Sequence, residues 1–299
     1  VKTNRIDEPD MSKSLRIYLI LLLAIVVGWL WWHTSVIADL GHITNWAGLL
    51  GITMLYLCSH IFRMLRLVLL TLDKRKNAFS LVSAHALTAL PSSFLPFKLG
   101  EILRLVAFLR VYDKRQKGIA VWLAERFGDV LVLTVFIFSF YLLSINVPPS
   151  MQIVFIVFVL VSGIGLLGLF AVANVFVYLN RHLVHTSLST RGLLILRTSH
   201  NLRSLGKSIH KSLEGRVAGF LLLSVLIWLF EIIALSLFIK LLAIDEPNFA
   251  ELFASGLLAS LPTGSQDAFG VYQSLALVIL TVAFLLAVWL AARFKITRI

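Results

Sequence analysis

From Gln152 to Leu179 the sequence carries no aspartate, glutamate, lysine, arginine or histidine. A helix needs only ~20 apolar residues to cross a bilayer, so this run alone is long enough. Apolar-dominated runs recur at about 15–32, 46–72, 119–145, 217–242 and 271–292. A chain built this way cannot coat itself with polar residues. Its composition agrees: 59% of residues are hydrophobic and 14% charged, against about 25% charged in a typical soluble domain. The expected fold is an all-α polytopic membrane protein with about six full transmembrane helices.

The net charge of +12 would suggest nucleic acid in a soluble protein. Here the lysines and arginines gather between apolar runs, as the positive-inside bias places them, and no nucleic-acid partner is expected. The lone cysteine, Cys58, lies inside an apolar run; it allows no disulfide within the chain and reads as inert packing. No metal-type cluster, nucleotide loop or cofactor motif is present. The first run, Ile17–Trp32, lacks a small-residue cleavage site and reads as a membrane helix, not a cleaved leader.

Loop charge sets the expected topology. Residues 1–14 form a cytoplasmic tail, and residues 15–299 a single transmembrane domain. Trp29, Trp31 and Trp32 mark the far interface of the first helix. The stretch 33–45 has no lysine or arginine and belongs outside; Asp73-Lys74-Arg75-Lys76 belongs inside, as do both chain termini. In the basic segment 181–216, Leu202, Leu205, Ile209 and Leu213 share one stripe, and Arg203, Lys207 and Lys211 another. Residues 192–213 are therefore expected to form an amphipathic helix lying on the cytoplasmic leaflet.

Two stretches break the pattern. Ala78–Leu90 is followed by Pro91 and Pro96, then by a second short piece, Leu99–Val111, with basic loops on both flanks. Proline removes a donor and restricts its predecessor, and a 13-residue helix spans only about 20 Å. The economical arrangement over residues 78–111 is a re-entrant hairpin. Residues 249–270 repeat the layout around Pro262. One short Pro-interrupted segment in each half is the pointer to an inverted repeat with a site between the halves. No sequence identity links the halves, so symmetric and asymmetric arrangements stay equally open.

Charged side chains inside membrane helices cost roughly 2.5–3.5 kcal/mol on insertion scales and need a partner or a purpose. Glu101 and Arg104 share a helix face, with Lys98 just before them; Glu125, Arg126 and Asp129 cluster at the start of the next helix. His60, Arg63 and Arg66 lie on the second helix. Arg63 and Arg66 are near enough to the basic loop to snorkel, so interface and interior readings both remain. Glu101 and Glu125 are expected to meet arginines across helices, because a buried carboxylate should not stand unpaired. In the second half the candidates are Glu231, Gln266, Asp267 and Gln273, with Lys240 expected to snorkel. His85 reads as a satisfied interior histidine.

The string Pro96-Phe-Lys98-Leu-Gly100-Glu101-Ile-Leu-Arg104, followed by Glu125-Arg126-Phe-Gly-Asp129, resembles the lysylphosphatidylglycerol synthase transmembrane-region family. That family includes the flippase part of the bacterial multiple peptide resistance factor. The family often closes its second interrupted segment with Gly-x-x-Glu. Here Gly270-Val-Tyr-Gln273 carries glutamine instead, which puts a role for that carboxylate in doubt unless Asp267 substitutes.

The resemblance implies a lipid flippase or scramblase of the bacterial inner membrane, with an anionic phospholipid or polyprenyl-phosphate-linked lipid as substrate. Arg104, Arg126, Arg63 and Lys98 would hold the headgroup, and Glu101, Glu125 and Asp129 would orient the arginines. Two other readings stay open: an intramembrane headgroup enzyme, disfavoured by the lack of a nucleophile–base pair, and a non-catalytic membrane partner of a separate lipid-modifying transferase.

Overall fold

The computed structural model describes residues 13–32, 46–94, 99–143, 190–242 and 275–286, with scattered positions between 152 and 178. Among them every regular element is helical: α1 (Lys13–Trp32), α2 (Trp46–Leu70), α3 (Arg75–Phe94), α4 (Leu99–Val111), α5 (Arg115–Leu142), α6 (Thr190–Leu213), α7 (Val217–Leu242) and α8 (Leu275–Leu286). A single 3-10 turn, Leu72–Lys74, joins α2 to α3. Of the described helices, two are long and apolar enough by themselves to cross a membrane, at Trp46–Leu70 and Val217–Phe238.

These two helices, α2 and α7, pack along each other. Phe62 meets Phe230 edge-on with ring centroids 5.2 Å apart. Ile52, Ala234 and Phe238 close over Leu275 and Ile279 of α8. The opposite face of α8 presents Leu277 and Leu280 to Leu22 and Val26 of α1. The outward surfaces are apolar as well: Ile20, Leu21, Trp31, Leu222 and Phe138 are all exposed. In water such a surface would be an aggregation patch; against lipid tails it costs nothing.

One end of the bundle is basic. Asn77 donates to the Val111 carbonyl at 3.4 Å and brings the start of α3 beside the end of α4. Arg216 donates to Asp73 at 2.5 Å. Gln116 meets Asn201 at 3.5 Å and Ser204 at 3.1 Å. Segments 72–77, 110–117 and 197–216 are thereby gathered, with twelve lysines and arginines against three carboxylates.

Three expectations need correction. The helix expected to stop at Leu90 runs through Pro91 to Phe94, so the first arm of the 78–111 segment is neither 13 residues long nor interrupted at that proline. The reason lies in α1. A proline at 91 has no N–H to give the Leu87 carbonyl one turn earlier, and the Tyr18 hydroxyl donates to that carbonyl instead, at 2.8 Å. A neighbouring helix thus supplies the missing donor, as proline-containing membrane helices require. The second arm, Leu99–Val111, has the expected limits, and α3 and α4 pack against each other.

The second correction concerns α6. It is a helix over the expected residues, but protein covers most of its apolar stripe, leaving Leu202 40% exposed. Ile209 is buried in a cluster with Ala120, Val121 and Phe220, and Leu205 and Leu213 pack against it. The outer face keeps Arg203, Lys207 and Lys211 exposed. Thirdly, α1 begins at Lys13, inside the expected tail. The second interrupted segment, 249–270, lies outside the described residues, as do Lys98, Gln266, Asp267 and Gln273.

Candidate functional site

Four helices bring their charged residues together inside the bundle. On α2, Ser59, Arg63 and Arg66 follow at helical spacing and form one polar stripe. On α5, Glu125 and Asp129 are one turn apart on one face. On α7, Ser224 and Glu231 are two turns apart. On α4, Glu101 sits in the first turn, where the helix dipole favours a carboxylate, and Arg104 follows one turn later. Counted from the basic end at ~1.5 Å per residue, these groups lie roughly 6–21 Å into the bundle.

Arg66 is at the centre. It donates to Asp129 at 2.6 Å, to Ser224 at 2.9 Å and to Glu125 at 3.0 Å. Arg104 donates to the same Glu125 oxygen. All four charged groups are buried: Arg66 and Glu125 are 0% exposed, Arg104 2% and Asp129 4%. Burying this many charges is tolerable only because they neutralise one another. Removing one partner of a buried pair typically costs about 3–5 kcal/mol, since the other charge is stranded.

Around this centre lies a more open rim. Arg126 stands 3.4 Å from Glu101 and 3.5 Å from Asp129, with side-chain exposures of 28% for Arg126 and 22% for Glu101. Arg63 donates to Glu231 at 2.5 Å, and Ser59 donates to the same oxygen at 3.3 Å. The Arg63 guanidinium also lies over the Trp228 ring, 5.9 Å from its centroid. Four arginines thus meet four carboxylates, and the whole assembly is formally neutral.

Neutrality does not mean saturation. Nε and Nη2 of Arg126 and Oε2 of Glu101 are shielded and have no hydrogen-bond partner among the described residues. A guanidinium has five N–H donors in a planar fork, and at Arg126 several are unused. Arg126 keeps part of its side chain exposed, whereas Arg104, at 3%, is sealed inside.

Glycine makes the central packing possible. A Cβ on Gly128 would lie 2.5 Å from the Phe220 ring and 2.8 Å from Ser224 Oγ. Phe220 in turn lies under the Arg66 guanidinium, 5.7 Å from it. The absent side chain lets α5 approach α7 closely enough for Ser224 to reach Arg66.

The structure brings together Arg63, Glu101, Arg104, Glu125, Arg126, Asp129 and Glu231, all expected from sequence. The expected cross-helix pairing of Glu101 and Glu125 with arginines is present. Arg66, for which snorkelling and interior readings were both open, is the most deeply paired cation of the set. Ser59 and Ser224 were not anticipated; their one signal was that each shares a helix face with a charged candidate. Lys240 is exposed, as expected, at the end of α7. His85 departs from expectation: it is buried, but neither ring nitrogen has a hydrogen-bond partner among the described residues. Cys58 is free and half-buried. Among the described residues no group of three or more histidine, cysteine or carboxylate side chains is placed to hold a metal ion.

An apolar-surfaced helical bundle enclosing a balanced arginine–carboxylate network defines a membrane protein with a polar interior. The chain belongs to the lysylphosphatidylglycerol synthase TM region family, whose sequence profile matches residues 19–265. That membership carries a membrane location and a lipid-related role. No curated protein and no solved structure gives a significant match.

Proposed function

We propose that this protein moves a phosphate-bearing lipid between leaflets, as a flippase or scramblase. Its substrate would be an anionic phospholipid or a polyprenyl-phosphate-linked lipid. The observation that supports this most is Arg126: a side chain 28% exposed, held at the rim by Glu101 and Asp129, whose shielded Nε and Nη2 have no hydrogen-bond partner among the described residues, within a bundle whose outer surface is apolar. Arginine grips phosphate as a fork. A headgroup reaching Arg126 would compete with Glu101 for the same N–H groups, and the displaced Glu101 would keep Arg104, 4.0 Å away, as its neighbouring cation.

In this reading the eight charged groups divide the work. Arg66, Arg104, Glu125 and Asp129 form a fixed base that cannot be opened cheaply. Arg126 and Arg63 are the headgroup contacts, and Glu101 and Glu231 hold them between substrates. Lys98 would add a cation at the entrance, and Asp267 and Gln273 would complete the site from the second half. The acyl chains remain in lipid along the apolar surface.

The basic end would face the cytoplasm of a bacterial inner membrane, following the positive-inside bias, with both termini on that side. The α3–α4 hairpin would be re-entrant, and 249–270 its counterpart, giving about six full spans. We read the chain as a transporter and not an enzyme. A separate lipid-modifying transferase fits as the supplier of substrate.

Reconstitution of purified protein into liposomes tests the proposal. Wild type is expected to move labelled phosphatidylglycerol across the bilayer at least 10-fold faster than empty liposomes, and Arg126→Ala to lose most of that rate. Equal, slow movement with wild type, Arg126→Ala and empty liposomes would refute it.

A further inference from the structure

Beyond the charged network, α5 borders a groove of about 450 Å³ in the apolar surface. Ligand pockets run from about 300 to 1,000 Å³, so this one has room for an occupant. Ile137 of α5 and Phe155, both buried, close its inner side. Val135 and Phe138 of α5 form one wall, and Ile156 and Leu160 the other; all four are exposed. The groove is therefore open on the side that faces lipid.

Its chemistry is uniform. Thr134 is the one polar side chain in the lining, and its hydroxyl donates to the Val130 carbonyl at 2.8 Å. A lipid headgroup or an irregular peptide segment would lose its hydrogen bonds here. Apolar cavities stay dry and take apolar ligands. A helix from a second copy is too thick: one turn of it already occupies roughly 420–610 Å³. A single hydrocarbon chain is both thin enough and apolar throughout.

Position says which chain. Thr134 lies about 12 Å beyond Arg126 along α5, and Phe138 about 18 Å. Ile137, about 17 Å along, is within about 20° of Arg126 around the helix. One leaflet's share of the hydrocarbon core is about 15 Å deep. A tail running inward from a phosphate at Arg126 thus reaches the groove with its far end.

We propose that this groove seats one acyl chain of the lipid whose phosphate is held at Arg126. The seat deepens the headgroup reading and rests on it for the identity of that lipid. The protein then recognises the lipid at two places, its phosphate at the charged rim and a chain end between α5 and residues 155–160. The groove is a fixed place for one chain on the apolar surface along which both chains run.

The test uses the full chain in nanodiscs and a phosphatidylglycerol with a diazirine near the end of one acyl chain. After illumination, labelled residues are mapped by mass spectrometry. A diacylglycerol with the same chain is the phosphate-free probe. With phosphatidylglycerol, labelling at Val135, Phe138, Ile156 and Leu160 is expected to exceed that at Ile20, Leu21 and Leu222 by at least 5-fold. The three reference residues are as exposed as the groove walls, so contact with bulk lipid alone would label both sets alike. The diacylglycerol should give no such excess. Arg126→Ala should remove the excess by releasing the phosphate. Val135→Trp should remove it by filling the groove from an exposed position. If either variant fails to fold, the comparison of the two probes on wild type still decides.

Even labelling of both sets, an equal excess with diacylglycerol, or an excess that survives either variant overturns the seat. Liposome transport on the same preparations separates the two ideas. Transport that is lost in Arg126→Ala, alongside even labelling, removes the seat and leaves the transport reading intact. A phosphate-dependent excess without any transport does the reverse.

Discussion

Arg66 of α2 and Asp129 of α5 are joined at 2.6 Å in a place where Arg66 has no exposed surface. The bond ties together two helices far apart in sequence, and it closes the base of the charged network. Arg66→Leu would leave Asp129 with only Arg126, 3.5 Å away, and Glu125 with only Arg104. We expect a stability loss of about 3–5 kcal/mol, visible as a large fall in melting temperature in detergent. An unchanged melting temperature would show that the pair carries no weight.

Arg63 and Glu231 make a one-to-one pair, which suits a double-mutant cycle. Arg63→Leu and Glu231→Leu should each destabilise by leaving the other charge unmatched. The double variant should cost clearly less than the sum, with a coupling of about 1–3 kcal/mol. Strict additivity in thermal denaturation would contradict the pairing.

The α3 helix survives Pro91 because Tyr18 serves the Leu87 carbonyl. Tyr18→Phe should therefore destabilise by roughly 0.6–2 kcal/mol, the span of values for interhelical hydrogen bonds in membranes. In a Pro91→Ala background the backbone N–H returns, and Tyr18→Phe should become nearly neutral. Equal costs in both backgrounds, measured by thermal melts, would rule out this account of the helix.

Gly128 tolerates no side chain without moving Phe220 or Ser224. Gly128→Ala is expected to cost about 1–3 kcal/mol as overpacking and to lower transport by disturbing the Arg66–Ser224 bond. Gly206, inside α6 with nothing near its Cβ position, is the control: Gly206→Ala should leave transport unchanged and raise the melting temperature slightly, by the roughly 0.5–1 kcal/mol that alanine gains over glycine in a helix.

Much of this arrangement was legible in the sequence, for definite reasons. The cost of burying charge marked Glu101, Arg104, Glu125, Arg126 and Asp129 before any coordinates, and helical spacing put them on usable faces. Apolar run length fixed the limits of α7 and the approximate span of α2. Three things were hidden. The fate of Pro91 depended on Tyr18, which is remote in sequence. The covering of Leu205, Ile209 and Leu213 on α6 depended on α5 offering Val121 and Ala120, where a lone amphipathic helix reads as lying on lipid. The role of Arg66 could not be separated from snorkelling, because a position near a basic loop allows both; only the two carboxylates facing it from α5 decide.

The central claim is that Arg126, at the rim of a self-neutralised network, receives a lipid phosphate. Cryo-electron microscopy of the protein in nanodiscs rich in phosphatidylglycerol tests this most directly. We predict phosphate density within hydrogen-bond reach of Arg126, on the side facing Glu101, and its loss in Arg126→Ala while Arg66, Glu125 and Asp129 keep their positions. Lipid density confined to the apolar outer surface, with Arg126 still closed on Glu101 at saturating lipid, would contradict it.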